Sequence, residues 1–305
     1  MEIDRLVNSI IVGDSRMVLK IIPDNSIDLV ITSPPYNFGR EYRETTDSMG
    51  WDEYFDLLFC VWRECYRILK PDGRIAIVIQ PKFSDYVPTH HIVWKQLTDI
   101  GFHWMAEILW DKSNYHSAPT TWGSWCSPSL PYFRYTWEFI EVFWKARPKK
   151  EGKKEYADVE PEEFQQAVRA KWNIAPEKRM REFSHPAMFP EEIPGRLMRI
   201  LTYKYDIVVD PFNGAGTTTV MAWRLRRRFI GVDISKEYCE IAFQRVVSES
   251  QRLSLLDMLE ENDRESPFYP SPRLVTDISC LLTPSPEGVC SEEVPDSPCS
   301  ISTNQ

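Results

Sequence analysis

The run Ile27-Asp28-Leu29-Val30-Ile31, followed at once by Thr32-Ser33-Pro34-Pro35-Tyr36, constrains this chain more than any other stretch. Its nearly continuous β-branched and aliphatic side chains predict a strand buried on both faces, the kind found in parallel sheets. Two consecutive prolines then end it, because neither can donate to a ladder and each restricts the residue before it. Ser33 to Tyr36 are therefore expected to stand at the strand's carboxyl end, where open α/β sheets bind ligands. Prolines have no N–H, so the carbonyls of this loop are expected as free acceptors, joined by the Ser33 hydroxyl and the flat face of Tyr36. Such a set suits a planar base bearing an amino group. Taken alone, the five residues fit a plain proline turn equally well.

A second stretch, Asp206-Ile207-Val208-Val209-Asp210-Pro211-Phe212-Asn213-Gly214-Ala215-Gly216-Thr217-Thr218-Thr219, reads as another buried strand, a glycine-containing turn and a helix starting near Thr217. Glycines there let the backbone pass close to a ligand. The spacing matches a dinucleotide fingerprint imperfectly, and no Walker lysine follows. Phe229-Ile230-Gly231-Val232-Asp233 then predicts a strand ending in an acid, at about the distance where a carboxylate meets ribose hydroxyls. A nucleoside cofactor without a pyrophosphate is the economical reading.

Together these residues resemble the amino-methylating DNA methyltransferases that use S-adenosyl-L-methionine. Ser33-Pro34-Pro35-Tyr36 precedes the Asp210-Pro211-Phe212-Asn213-Gly214-Ala215-Gly216-Thr217-Thr218 motif, which is the order of the family's β group, and the resemblance spans roughly residues 8–247. It implies a catalytic loop at Ser33, Pro34, Pro35 and Tyr36, with Tyr36 stacking on a flipped base. The cofactor set it implies is Asp14, Phe189, Asp210, Pro211, Phe212, Asn213, Gly214, Gly216, Thr217, Thr218 and Asp233. Asp14 would contact the adenine amino group and Phe189 the methionine end, while helix N-capping explains Asp14 nearly as well. The family associates a serine at the head of the catalytic motif with cytosine N4 and an acid or amide with adenine N6. Ser33 therefore points to cytosine N4, with adenine N6 as the alternative and a DNA- and cofactor-binding protein without turnover as the rival of another class. The expected partner is double-stranded DNA, with a restriction endonuclease as a candidate second partner and a dimer as a candidate assembly.

The net charge of −9 looks unsuited to DNA until it is divided. From Leu255 onward ten acids face two arginines, a balance of −8, which leaves −1 for the remainder. A near-neutral body can carry local basic faces. Arg40 and Arg43 lie in a polar loop after Tyr36 that suits a lid. Lys149, Lys150, Lys153 and Lys154 belong to a basic run in residues 145–182, expected to be a target-recognition insertion that contacts phosphates. The Trp-, Ser- and Pro-rich residues 111–135 suit a pocket wall or a stacking surface. No histidine shows metal-ligand spacing, and the seven cysteines form no CxxC pair, so no metal is expected. The absence of an apolar signal core or membrane-length run points to a cytoplasmic protein without a membrane partner.

Periodicity predicts helices near residues 16–22, 51–69, 89–100, 191–202, 217 onward and 238–252. Parallel strands are expected near residues 9, 27, 73, 104, 206 and 229, with an antiparallel one near 139. The expected fold is a Rossmann-like α/β methyltransferase domain over residues 1–262, with a mixed, mostly parallel sheet in circularly permuted motif order. The strand ending in Asp210 should lie beside those ending in Ser33 and Asp233. Residues 263–305, rich in acids, serine and proline and poor in large apolar groups, are expected to be disordered.

Overall fold

The computed structural model describes residues 2–37, 41–42, 45–46, 49–82, 85–113, 123–133, 135–178, 183, 188–259 and 271–282. In chain order its elements are β1 (Ser9–Val12), α1 (Ser15–Val18), β2 (Ile27–Thr32), β3 (Glu41–Tyr42), β4 (Thr45–Thr46), α2 (Trp51–Ile68), β5 (Leu69–Ile79) and α3 (Thr89–Ile100). There follow β6 (His103–Asp111), β7 (Trp137–Trp144), α4 (Pro161–Ala167), β8 (Lys171–Asn173), α5 (Glu192–Leu201), β9 (Ile207–Asp210), α6 (Thr217–Arg224), β10 (Arg228–Asp233), α7 (Lys236–Leu259), β11 (Arg273–Val275) and α8 (Ser279–Leu282).

Among the described residues nine strands form one sheet in the order β11-β1-β10-β9-β2-β5-β7-β6-β8, and within it β7 alone runs against its neighbours. As expected, β9 lies between β2 and β10, with Val30 opposite Val209 and Asp210 opposite Gly231. The β-branched runs have their physical reason in this arrangement. Alternate residues feed two cores: Ile11, Val30, Ile77, Val209 and Ile230 join Leu58, Trp62 and Leu97 on one face. Ile10, Leu29, Ile31, Val208 and Phe229 join Leu197, Met198 and Ala242 on the other. Each fully buried aliphatic side chain contributes about 1.5–3 kcal/mol.

β5 starts earlier than expected. Leu69 pairs with Ile27 and Arg74 with Leu29, so Pro71, Asp72 and Gly73 form a bulge inside the strand instead of a turn before it.

The basic run departs further from expectation. Because β7 is antiparallel, its last residue, Trp144, pairs with Arg74 just past the bulge of β5, and residues 145–154 follow it at the amino-terminal edge of the parallel strands. The Lys150 side chain is buried there, bonded to Asp28 at 2.7 Å and Asp206 at 3.1 Å, so its charge is spent inside the protein and is closed to DNA. Asp28 also accepts from Lys70 and from the Ile207 N–H. An isolated buried carboxylate would be costly, and these partners hold it charged. The rest of the segment is likewise stitched in. Fully buried Arg227 pairs with both oxygens of Asp158, Trp172 of β8 is buried, and Arg199 pairs with Glu163 of α4. These contacts pack residues 145–173 onto the body of the protein, and the chain regains the opposite edge only at the end of β8.

The expectation of disorder from residue 263 onward fails for residues 271–282. β11 pairs in parallel with β1, Val275 enters one core, and Ile278 and Leu281 pack against it. Arg273 anchors the strand through the carbonyls of Arg5 and Val7. Three apolar residues among prolines and acids are enough here because the edge of β1 supplies the hydrogen bonds. Residues 260–270 and 283–305 lie outside the described residues.

Candidate active site

The carboxyl ends of β2, β9 and β10 meet as three neighbouring strand termini, and side chains tie them together. Thr32 Oγ1 donates to Asp210 Oδ1 at 2.6 Å, and the Phe212 N–H donates to the same oxygen at 3.0 Å. Asp210 is buried, which pushes its carboxyl up to about 6 against the pull of these donors. It organises the turn from beneath. The Gly214 N–H donates to Asp233 Oδ2 at 2.7 Å and the Ser235 N–H to Oδ1 at 2.9 Å, so Asp233 clasps the turn to the end of β10.

Residues 213–216 make the tight turn the glycines suggested. Gly216 has φ +83°, and a Cβ there would lie 2.6 Å from the Cβ of Ala242, so a side chain is excluded by both strain and space. Asn213 donates through its N–H to Val232 and accepts from the Thr219 hydroxyl; a Cβ on Gly231 would strike its amide. Pro211 is held by the Ser15 hydroxyl, which donates to its carbonyl. Thr217 and Thr218 are buried at the start of α6. Phe212 turns toward α2 and meets Trp62 edge-on at 6.2 Å, and Phe189 is half-buried against the other core. Asp14 caps α1 through the Arg16 N–H and ion-pairs with that guanidinium, which lowers its carboxyl pKa.

At the end of β2 the loop is fixed from several sides. Pro34 is buried, and the Pro35 carbonyl, expected to be free, accepts from Tyr54 Oη of α2 at 2.7 Å. The Ser33 hydroxyl donates to Tyr36 Oη at 3.1 Å, and Tyr36 Oη donates to Glu138 Oε2 at 2.7 Å. Asn37, at φ +54°, exchanges two hydrogen bonds of 2.9 Å with the Met49 backbone and so closes the base of the loop that follows. Arg40 and Arg43 belong to that loop and lie outside the described residues.

The sheet thus brings Ser33, Pro34, Pro35, Tyr36, Asp14, Asp210 to Thr218 and Asp233 to one edge, and sends Lys149, Lys150, Lys153 and Lys154 to the other. Sequence reasoning named Thr32 without giving it a role of its own, and missed Asn37, Tyr54, Lys112 and Glu138 as site residues. An acid inside the apolar run Trp137-Glu138-Phe139-Ile140 was the available signal, since a buried carboxylate requires partners. Among the described residues no group of three or more His, Cys, Asp or Glu side chains could hold a metal, and no helix is long and apolar enough to cross a membrane.

The site's composition and order belong to a recognisable class. Residues 27–244 match the profile of the N6/N4 methylases, described as DNA methylase, and the chain belongs to that family. It is 30% identical over 287 residues to the Type II methyltransferase M.HpaI of Haemophilus parainfluenzae, covering 90% of this chain and 86% of that protein. It is also 30% identical over 299 residues to the Type II methyltransferase M.MjaI of Methanocaldococcus jannaschii, covering 84% and 96%. Among solved structures, a putative DNA modification methylase from Thermus thermophilus superposes with a TM-score of 0.64 at 28% identity, covering 79% of this chain and 95% of the other. The same Thermus protein complexed with S-adenosyl-L-methionine gives a TM-score of 0.62 at 29% identity, covering 79% and 95%.

Proposed function

We propose that this DNA methylase transfers the methyl group of S-adenosyl-L-methionine to the exocyclic N4 of a cytosine flipped out of double-stranded DNA, as the modification partner of a restriction endonuclease. The observation that carries the reading is the junction of two loops: an acceptor loop at Ser33 and Pro34 adjoins a glycine turn whose strand neighbour ends in Asp233. The fit to the cofactor is chemical. The carboxylate of Asp233 is a chemical match for ribose hydroxyls, Gly214 and Gly216 carry no side chain in the turn, and Phe189 supplies an apolar flank. When bound, the cofactor supplies an electrophilic methyl group.

An exocyclic amine is a poor nucleophile because its lone pair is delocalised into the ring. Ser33 has its proton committed to Tyr36, so its oxygen faces outward as an acceptor, and the Pro34 carbonyl is the second. Bonding both amino hydrogens favours a tetrahedral nitrogen and aims its lone pair at the methyl donor, so positioning supplies most of the catalysis. An amine inside a duplex cannot reach such a loop, which is why the base must leave the stack.

DNA is expected along the same edge. Exposed Trp125 and Phe133 stand between β6 and β7, and Tyr86 meets Tyr132 edge-on, joining two edge loops into one aromatic surface. Nucleoside mass spectrometry of DNA from cells expressing the protein tests the reading. N4-methylcytosine is the expected product, methyladenine alone would replace the base assignment, and no methylated base would remove the activity. The choice of cytosine rests on Ser33 at the head of the motif.

A further inference from the structure

The hydroxyl chain that starts at Ser33 ends on a buried ion pair. Glu138 lies on β7, opposite Trp110 in the β6–β7 ladder, on the face where Ile140 and Val142 are core residues, and is 6% exposed. One carboxylate oxygen accepts from Tyr36 Oη at 2.7 Å, and the other takes an ion pair from Lys112 Nζ. Lys112 sits just beyond β6, with its ammonium 5.1 Å above the Trp110 ring. The Val78 carbonyl, at 3.4 Å, is a weaker acceptor for the phenol proton, so the tyrosine points at the carboxylate. A buried carboxylate at a strand position otherwise apolar is costly unless paired, and this one is paired on both oxygens.

We propose that Glu138, held by Lys112, is a positioning residue for methyl transfer that also takes up the proton the amine releases. The inference rests on the amino-methylation reading above. As the N–C bond forms and the C–S bond breaks, the electron pair of the latter goes to sulfur, and the positive charge moves to the amine nitrogen. That nitrogen passes one proton to Ser33 Oγ; the Ser33 proton moves to Tyr36 Oη, and the Tyr36 proton to Glu138. The amine ends neutral and the carboxylate protonated, so charge is conserved within the site. Before reaction the same chain fixes Ser33 as an acceptor toward the base, because its only proton is donated inward.

The test compares Glu138→Gln and Lys112→Met with the wild type by single-turnover methylation across pH, with thermal melting and with calorimetric binding of S-adenosyl-L-methionine and of a target duplex. Glutamine still accepts from Tyr36 but cannot take the proton. It should lower the rate at least tenfold near neutral pH and remove the acid limb of the profile, with both affinities and the melting temperature near wild type. Removing the lysine takes away the counter-charge and leaves the carboxylate with Tyr36 alone, so the acid limb of the rate profile should move to higher pH. A glutamine variant with wild-type rate, or a slow one whose profile parallels the wild type, overturns the proton role. Should Glu138→Gln unfold, an unshifted limb in Lys112→Met does the same. Wild-type protein that methylates no DNA overturns the functional reading itself, a result separable from either variant's behaviour.

Discussion

Asp210 carries two duties that conflict energetically, since it must be buried to tie β2 to the glycine turn and charged to accept from Thr32 and Phe212 most strongly. Burial wins in part, and its carboxyl is pushed up to about 6, against about 3.9 in an unfolded chain. A folded-state pKa raised for an acid means the native protein holds the proton more tightly, so stability from this group is present at low pH and is lost as pH rises through 6. Asp210→Asn keeps an acceptor for both donors and cannot ionise. Its stability relative to wild type should therefore rise by about 1 kcal/mol between pH 5 and pH 8, measured by urea denaturation. A constant difference across that range would show that the carboxyl titrates normally. Asp233 makes a different case, accepting from the Gly214 and Ser235 N–H groups where β10 meets the glycine turn. Asp233→Ala should weaken S-adenosyl-L-methionine binding by about 1.5–3 kcal/mol in calorimetry, the scale of hydrogen bonds to a charged group. A folded variant with unchanged affinity would remove Asp233 from the cofactor site. Neither the Thr32–Asp210 bond nor the Tyr36–Glu138 bond was legible in the sequence, because their partners lie 178 and 102 positions apart.

Elements were more legible than partners, for a reason of locality. The apolar spacing of α2 and the aromatic and aliphatic run of β7 are complete within the segments themselves; α2 was placed within a residue of its observed bounds, and the antiparallel strand expected near 139 is β7. β11 has three residues and no pattern of its own; it exists because the edge of β1 is open and Arg273 can reach the Arg5 and Val7 carbonyls. Composition could not reveal a strand that borrows its stability from the far end of the chain. The consequence is a truncation test with two arms. Removing residues 283–305 should leave the melting temperature unchanged. Removing residues 271–305 takes Val275, Ile278 and Leu281 away from the core and should lower it by about 5 °C or more, at roughly 2–4 °C for each kcal/mol in a chain this long. Equal melting of the two truncations would show that β11 adds nothing to the fold.

At the scale of the whole molecule the sheet separates two edges, and strand direction decides which charges can meet DNA. The reading of parallel and antiparallel strands already contained the information needed to place the basic run, since a single reversed strand, β7, delivers the chain to the amino-terminal edge. Six residues of β2 at about 3.3 Å each put roughly 20 Å of core between that edge and Ser33. Lys149, Lys153 and Lys154 are exposed on the far side, where Lys153 pairs with Glu155, and Lys150 is locked between Asp28 and Asp206. A phosphate backbone lying against the catalytic edge is out of their reach. Replacing Lys149, Lys153 and Lys154 together by alanine should therefore leave affinity for a target duplex within about twofold and its salt dependence unchanged, because no counterions are released there. Had the three lysines each neutralised a phosphate, the slope of log K against log salt would fall by about 2.7. Trp125→Ala with Phe133→Ala, on the edge that carries the site, should weaken the same duplex by about tenfold, one stacking contact being on the order of 1–3 kcal/mol. Fluorescence anisotropy over a salt series measures both variants, and a shallower slope in the lysine variant with normal binding by the aromatic one would place the DNA on the opposite edge of the sheet.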